Sequence, residues 1–201
     1  MGAAKAIHLS NDKRVMETCP KLAPGSTILT LGTGGVSIFA LQFGKAAGFD
    51  VLSTTSSEAK GERLRVLGAH EVINYRTHPE WEKEIAKLTG GLGIDHVIEV
   101  GGAGTLAKSM MAVRYGGAIS LIGVLTRVDG RVNPLPVLGK NIRLQGLYVR
   151  STAMFESMNA AIESLKIHPV IEKVYEFNDA PAALTDLESA QHVGKLVVRV
   201  N

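Results

Sequence analysis

The stretch STILTLGTGGVSIFALQFGKAAG, Ser26 to Gly48, decides the fold. A short β-branched and apolar run, Thr27–Leu31, feeds Gly32, Gly34 and Gly35, and an apolar-striped segment starts at once. The pattern Gly32-x-Gly34-x-x-Ser37 therefore sits between a strand and a helix, the context that a dinucleotide-binding turn requires. The first glycine makes the tight turn. The second lets backbone approach a pyrophosphate, whose charge is held by free N–H groups at the helix start. The third position wants a small residue for close helix–strand packing, and here it is Ser37.

Outward from this unit the chain alternates. The sequence predicts strands at Thr27–Leu31, Val51–Thr54, Glu71–Asn74, His96–Val100, Ala118–Val124 and Ile142–Val149. Helices are expected between them, at Gly35–Ala47, Ser57–Leu67, Pro79–Leu88 and Thr105–Arg114, with a short turn near Pro134–Gly139. Most of these strands are rich in Val and Ile on both faces, as strands covered by helices tend to be. Strand, helix, strand, repeated, means right-handed crossovers and a doubly wound parallel α/β sheet. Beyond Arg150, Met154, Met158, Ile162 and Leu165 recur at helical spacing, with Ser151 or Thr152 as cap. Asp179 with Pro181 opens another helix, and GKLVVRV closes the chain as a strand. The expected organisation is one domain over 24–201, with a helix-rich C-terminal extension and closing strand, behind a poorly patterned leader, 1–23.

Composition narrows the function classes. The chain has 201 residues, 45% hydrophobic and 20% charged, with a net charge of +3 and no basic block, so nucleic acid is not implied. Cys19 is the only cysteine, which rules out an intrachain disulfide and a four-cysteine zinc site. No apolar run approaches the ~20 residues of a membrane span, and the reading points to the cytoplasm. The six histidines show no H-x-x-x-H pair and no cysteine partner at ligand spacing, so no metal is expected.

An NAD-preferring turn carries Asp or Glu about 20 residues after the glycines, on the ribose 2′-hydroxyl. Here that region reads DVLSTTSSEAK: Asp50 precedes the strand and Glu58 lies in the next helix. The strand end offers Thr54, Thr55, Ser56 and Ser57, with Lys60 one turn on. Hydroxyls, a helix start and a cation suit a 2′-phosphate, so NADP(H) is favoured over NAD(H). A P-loop fails, because Gly44-Lys45-Ala46 lies inside a helix and lacks the hydroxyl. An S-adenosylmethionine-dependent methyltransferase is the rival for LGTGG, but the acidic positions it uses hold Thr30 and STTSS.

These segments resemble the medium-chain dehydrogenase/reductase superfamily, and within it the zinc-independent alcohol dehydrogenase-like and quinone oxidoreductase-like members. The likeness rests on LAPGSTILTLGTGGVSIFALQFGKAAG, LGAHEVINYR, GIDHVIEVGG, GGAISLIGVL, NPLPVLGKNIRLQGLYV and GKLVVRV, from about Leu22 to the end. It implies a Rossmann domain of an oxidoreductase that moves hydride between a nicotinamide and an alcohol, aldehyde, quinone or activated alkene. By motif it implies Gly34, Gly35 and Val36 at the pyrophosphate and Ser57, Lys60 and Tyr75 near the adenosine phosphate, and Gly32, Thr33 and Ser56 complete the expected cofactor-binding set. It also implies Gly101, Gly123 and Val124 near the nicotinamide half. The family's amino-terminal GroES-like domain has no counterpart in the leader, so a fragment, a short form or a subunit completed by a partner is expected. The alternative is a non-catalytic nucleotide-binding module. No acid or base is assigned; Tyr115, Ser120 and Tyr148 are available. The resemblance also implies a homodimer paired through Ile142–Val149, an edge segment.

Overall fold

The computed structural model describes residues 22–126, 130–149 and 151–200. The leader 1–23 lies outside the described residues except for its last two positions. Six parallel strands form one sheet: β1 (Thr27–Leu31), β2 (Asp50–Thr55), β3 (Glu71–Asn74), β4 (Ile94–Glu99), β5 (Val113–Leu121) and β6 (Arg143–Gly146). Their spatial order is β3-β2-β1-β4-β5-β6, two mononucleotide-binding halves that meet between β1 and β4. The crossover helices are α1 (Gly35–Ala46), α2 (Glu58–Leu67), α3 (Trp81–Leu88), α4 (Leu106–Ala112) and the short α5 (Leu135–Gly139).

The two-residue period of the strands fills both faces. Ile28 and Ile98 point to the layer built by α1 and α2, among Ile38, Leu41, Phe43 and Leu64. Their neighbours Leu29 and Val97 point the other way, into Trp81, Ile85, Leu106 and Met110 of α3 and α4. Each strand residue thus buries apolar surface against a different helix layer, which is why a parallel sheet needs apolar residues at successive positions. Helix α1 comes close to the sheet at Gly44, where a Cβ would meet Ile28 Cδ1 at 2.5 Å.

After β6 the chain forms α6 (Thr152–Ser164), β7 (Ile171–Tyr175), a single 3-10 turn (Phe177–Asp179), α7 (Ala180–Glu188) and β8 (Lys195–Val198). The two last strands pair in parallel as a separate two-stranded sheet. Met154 is buried, and Met158 and Ile162 pack on the α1 layer as the spacing predicts, while Leu165 is partly exposed. Ser151 and Asp179 occupy the N-cap positions without side-chain cap bonds. Strand β7 is absent from the sequence reading. It is mostly exposed, and IEKVY carries charges where a covered strand carries Val or Ile.

Several boundaries differ from expectation, most of all at β5 and β6. Strand β5 begins at Val113, directly after α4, and ends at Leu121 rather than Val124. Beyond it Ile122–Thr126 fold over β4, with Ile122 N donating to Glu99 O at 2.8 Å and Thr126 N to Gly101 O at 2.8 Å. The loop approaches so closely that a Cβ on Gly123 would stand 2.8 Å from Val100 O. Strand β6 is shorter than Ile142–Val149, and it does form one edge of the sheet.

The closing strand is sewn to the rest of the chain at Gly194. This residue has φ +81, and a Cβ there would run into the carbonyl oxygen of Val170. Gly194→Ala is expected to cost about 2 kcal/mol or more, from left-handed strain plus the clash. Gly139→Ala, where a Cβ meets nothing within 4 Å, should stay within about 0.5 kcal/mol of the parent. Urea unfolding of the two variants measures the difference.

Candidate functional site

The carboxyl ends of β1, β2 and β4 open onto two contiguous clefts. The larger, about 590 Å3, runs from Gly32–Ser37 past Ser56, Lys60 and Tyr75 to Ile122, Gly123 and Leu125. The smaller, about 410 Å3, lies between Thr54, Tyr75, Pro79 and Trp81 on one side and Gly101, Gly104, Thr105 and Thr126 on the other. Leu31, Gly32, Tyr75, Val100 and Leu125 belong to both. They meet at the topological switch point, where open α/β sheets take their ligands.

The turn that faces the larger cleft is built as the motif requires. Gly32 has φ +75, which a side chain disfavours, and its N–H donates to Thr54 O at 3.1 Å. A Cβ on Gly32 or Gly34 would meet nothing within 4 Å, so bare backbone borders open space. Ser37 does more than stay small: its hydroxyl donates to Leu31 O at 2.6 Å and ties the first turn of α1 to the end of β1. No acidic side chain lies in the first turn of α1, so the positive end of the helix dipole is unopposed there.

A segment remote in sequence completes the turn. Gly194 N donates to Thr33 O at 2.8 Å, and Thr33 Oγ1 donates to His192 O at 3.4 Å. Val193, 1% exposed, is part of the core layer that α1 packs on. Lys195, the first residue of β8, lays its side chain over Gly35: a Cβ there would stand 2.6 Å from Lys195 Nζ. Sequence reasoning missed Lys195, His192 and Ala190. The Gly-Lys pair that opens the closing strand was the available signal, but nothing local links it to a turn some 160 residues earlier.

At the β2–α2 end, Ser57 accepts from Lys60 N at 3.4 Å and serves as the N-cap of α2. Lys60 is buried, and its Nζ donates to Ala190 O at 2.8 Å. Burial lowers the pKa of this ammonium, the charge of Arg76 lowers it further, and Glu172 opposes both. Glu172 is itself engaged. Burial works against its ionisation, but hydrogen bonds from Arg63 and from Val193 N hold its carboxyl below the usual range.

The sequence-derived residues thus divide. Gly32, Thr33, Gly34, Gly35, Val36, Ser56, Lys60, Tyr75 and Gly123 line the larger cleft. Gly101 lines only the smaller one, beside the Ile122–Thr126 loop that carries Gly123. Ser57 caps α2 beside the cleft, and Val124 lines neither cleft. Of the available acid–base groups, Ser120 is buried against His96 Nε2 at 2.8 Å. Tyr115 and Tyr148 are exposed and outside both linings.

The loop after β4 has its own organiser. Glu99 is fully buried, and its Oε1 accepts from Gly101 N at 2.7 Å, Gly102 N at 3.1 Å and Thr105 Oγ1 at 2.6 Å. Ser109 donates to the other oxygen. Four donors on one carboxylate fix a glycine turn that has no side chains of its own to hold it. Among the described residues, no group of three or more His, Cys, Asp or Glu could hold a metal ion, and no helix is long and apolar enough to cross a membrane.

Comparison with known proteins agrees with this architecture. Residues 35–165 match the family model described as zinc-binding dehydrogenase. A zinc-type alcohol dehydrogenase-like protein of Schizosaccharomyces pombe is 41% identical over 185 residues, 90% of this chain and 54% of the relative. A quinone oxidoreductase of Sus scrofa is 30% identical over 182 residues, 87% of this chain and 54% of the relative. The crystal structure of a putative alcohol dehydrogenase from Sinorhizobium meliloti superposes with a TM-score of 0.85 at 34% identity, covering 99% of this chain and 56% of that one. The chain spans about half the length of the curated relatives it matches. With the sheet order, the glycine turn and the family match in agreement, the chain belongs to the zinc-binding dehydrogenase family of medium-chain dehydrogenases/reductases.

Proposed function

We propose that this chain is the dinucleotide-binding part of an oxidoreductase that uses NADP(H) to move hydride to or from a carbonyl, quinone or activated alkene. One observation supports the reading above others: the described residues lining both clefts include no carboxylate, while Lys60, Lys195 and Lys108 are among them. An NAD site uses an acidic side chain on the ribose 2′-hydroxyl; a cleft of hydroxyls, backbone N–H groups and cations suits an extra phosphate. The same lack of an acid argues against the adenosylmethionine reading.

In this reading the pyrophosphate lies on Gly34, Gly35 and Val36 at the start of α1, with Lys195 as counter-charge. The adenosine phosphate meets the rim formed by Ser56, Ser57, Lys60 and Tyr75. The β4–β5 half then takes the nicotinamide, near Gly123 and Val124, because the two mononucleotide halves flank the switch point. Gly101, in the loop after β4, belongs to the same half. When bound, the nicotinamide supplies the hydride chemistry. The chain's own residues bind it, orient it and wall it from water on the sheet side. In the relatives, half of the chain lies outside the matched region, and the remaining wall of the substrate pocket is assigned to such a part. The protein is placed in the cytoplasm.

The functional unit is proposed to be a homodimer joined along β6. Its exposed edge continues into Tyr148 and Val149, two large apolar side chains in solvent. Leu147 is buried and its N–H donates to Leu121 O at 2.9 Å, so a proline there would damage the fold itself. Replacing both Tyr148 and Val149 with Asp places like charges across the pairing and should give monomers at micromolar concentration in sedimentation. A parent chain that is already monomeric rejects the dimer.

Fluorescence titration of the chain with NADPH, beside a turnover assay on carbonyls and quinones, tests the main reading. Binding with turnover well below that of full-length relatives is the expected result; absence of binding rejects it. Gly34→Val should fold, because a Cβ there meets nothing within 4 Å, and should weaken NADPH and NADH alike by at least about ten-fold.

A further inference from the structure

Strand β6 has little apolar surface of its own to hold it. It is four residues long, and Arg143, Leu144 and Gly146 are exposed. It pairs only with the second half of β5, Ala118–Leu121. The buried anchors Ile142 and Leu147 stand just outside it, one at each end. Yet this strand is an edge of the sheet.

Lys140 supplies what the strand lacks. Helix α4 runs straight into β5, with no loop to satisfy the carbonyls of its last turn, and that turn has no basic side chain. The cation comes instead from Lys140, 30 residues beyond Met110. Its ammonium donates to Met110 O at 3.2 Å, Met111 O at 2.7 Å and Val113 O at 2.6 Å. Three donors meet three acceptors, and a positive charge stands at the negative end of the helix dipole. Burial pushes the pKa of this ammonium down, so its acceptors hold it there against a desolvation cost. The backbone of the same residue is engaged as well. Lys140 O accepts from Gly116 N at 2.8 Å, and Lys140 N donates to Pro136 O at 3.0 Å. One residue thus grips the end of α4, the overhanging start of β5 and the end of α5. The chain then reverses at Asn141, φ +53, and Ile142 N donates to Val137 O at 2.9 Å before β6 begins.

The segment that Lys140 anchors carries apolar side chains into solvent: Leu135 and Leu138 of α5, Leu144 of β6, and Tyr148 and Val149 beyond it. The homodimer proposed above pairs along this segment. We propose that Lys140 is the positioning residue for that interface: its side chain carries the C-terminal charge that α4 lacks, and so fixes the edge strand in the register that a second copy meets. This rests on the homodimer reading and names the side chain on which the pairing edge depends.

Sedimentation and backbone hydrogen exchange of the parent chain, Lys140→Met, Lys140→Gln and Lys140→Arg test it. Lys140→Met should speed exchange across 142–147 by about ten-fold, leave 27–31 within about two-fold, and weaken the dimer by about ten-fold. Lys140→Arg keeps the charge and the donors and should recover most of both effects. Lys140→Gln keeps an amide donor without the charge, and it should move both readouts in the same direction even if Lys140→Met fails to fold. Exchange that rises equally at 27–31 and 142–147 with the dimer unchanged is a general stability effect and overturns the proposal, as does unchanged exchange at 142–147. A dimeric parent whose dissociation constant does not move in either uncharged variant leaves the homodimer standing and rejects the role of Lys140. A monomeric parent rejects the homodimer reading itself, and the interface role with it.

Discussion

The N–H of Gly194 donates to the carbonyl of Thr33, and this backbone bond brings the two ends of the fold to one point. Thr33 lies in the glycine turn between β1 and α1; Gly194 precedes β8. Only glycine suits position 194, because the backbone is left-handed and the Val170 carbonyl leaves no room for a Cβ. Once the bond is made, Val193 enters the α1 core, Lys195 covers Gly35 and Ala190 O reaches Lys60. The cleft surface at this turn is thus a joint product of a local turn and a distant segment. A strand, turn and helix alone would present the N–H groups of α1 without the counter-charge of Lys195.

This division explains what the sequence could and could not reveal. Strands β1 and β3 match their expected bounds because TILTL and EVIN each hold β-branched apolar residues at their centre. Each central strand buries both faces, so its pattern is dictated locally and dense. Strand β5 begins earlier than expected because Arg114, Tyr115, Gly116 and Gly117 hide a strand start behind polar residues and glycines. It ends earlier because tertiary contact wins: Gly123 and Val124 look like strand residues, but their backbone is claimed by the Val100–Gly102 turn. Strand β7 escaped detection because a mostly exposed strand has no apolar alternation to show. Among site residues, the turn glycines were legible because conformation restricts them. Lys195 and His192 were not, because a lysine or histidine in a loop looks the same whether or not a cleft lies beside it.

Glu99 shows how a site with few side chains is kept in shape. Its four donors come from the turn Gly101–Gly102, from Thr105 and from α4 through Ser109. A buried carboxylate is costly unless its acceptor capacity is filled, and here two backbone N–H groups and two hydroxyls fill it. The result is a loop whose position is specified by polar geometry. The smaller cleft needs this: Gly101 and Gly104 leave backbone exposed to a ligand, and flexible glycines would otherwise blur its floor. Thr126 completes the brace, donating to Gly101 O at 2.7 Å and accepting from Gly104 N at 2.8 Å.

Electrostatics then decide what such a rigid, open surface can hold. The α1 N-terminus, Lys195 and Lys60 are positive partial or full charges on one cleft, and among the described residues no carboxylate lines it. The nearby acid, Glu172, accepts from Arg63 and from the Val193 N–H, and its charge favours the ammonium of Lys60. Burial and the charge of Arg76 weigh against the charged form of Lys60, and the charge of Glu172 favours it. An anion between these groups would replace repulsion by attraction and favour the charged ammonium. Under the proposed function, a dinucleotide phosphorylated on its adenosine ribose would place negative charge at two points of this cleft, the helix start and the β2–α2 rim.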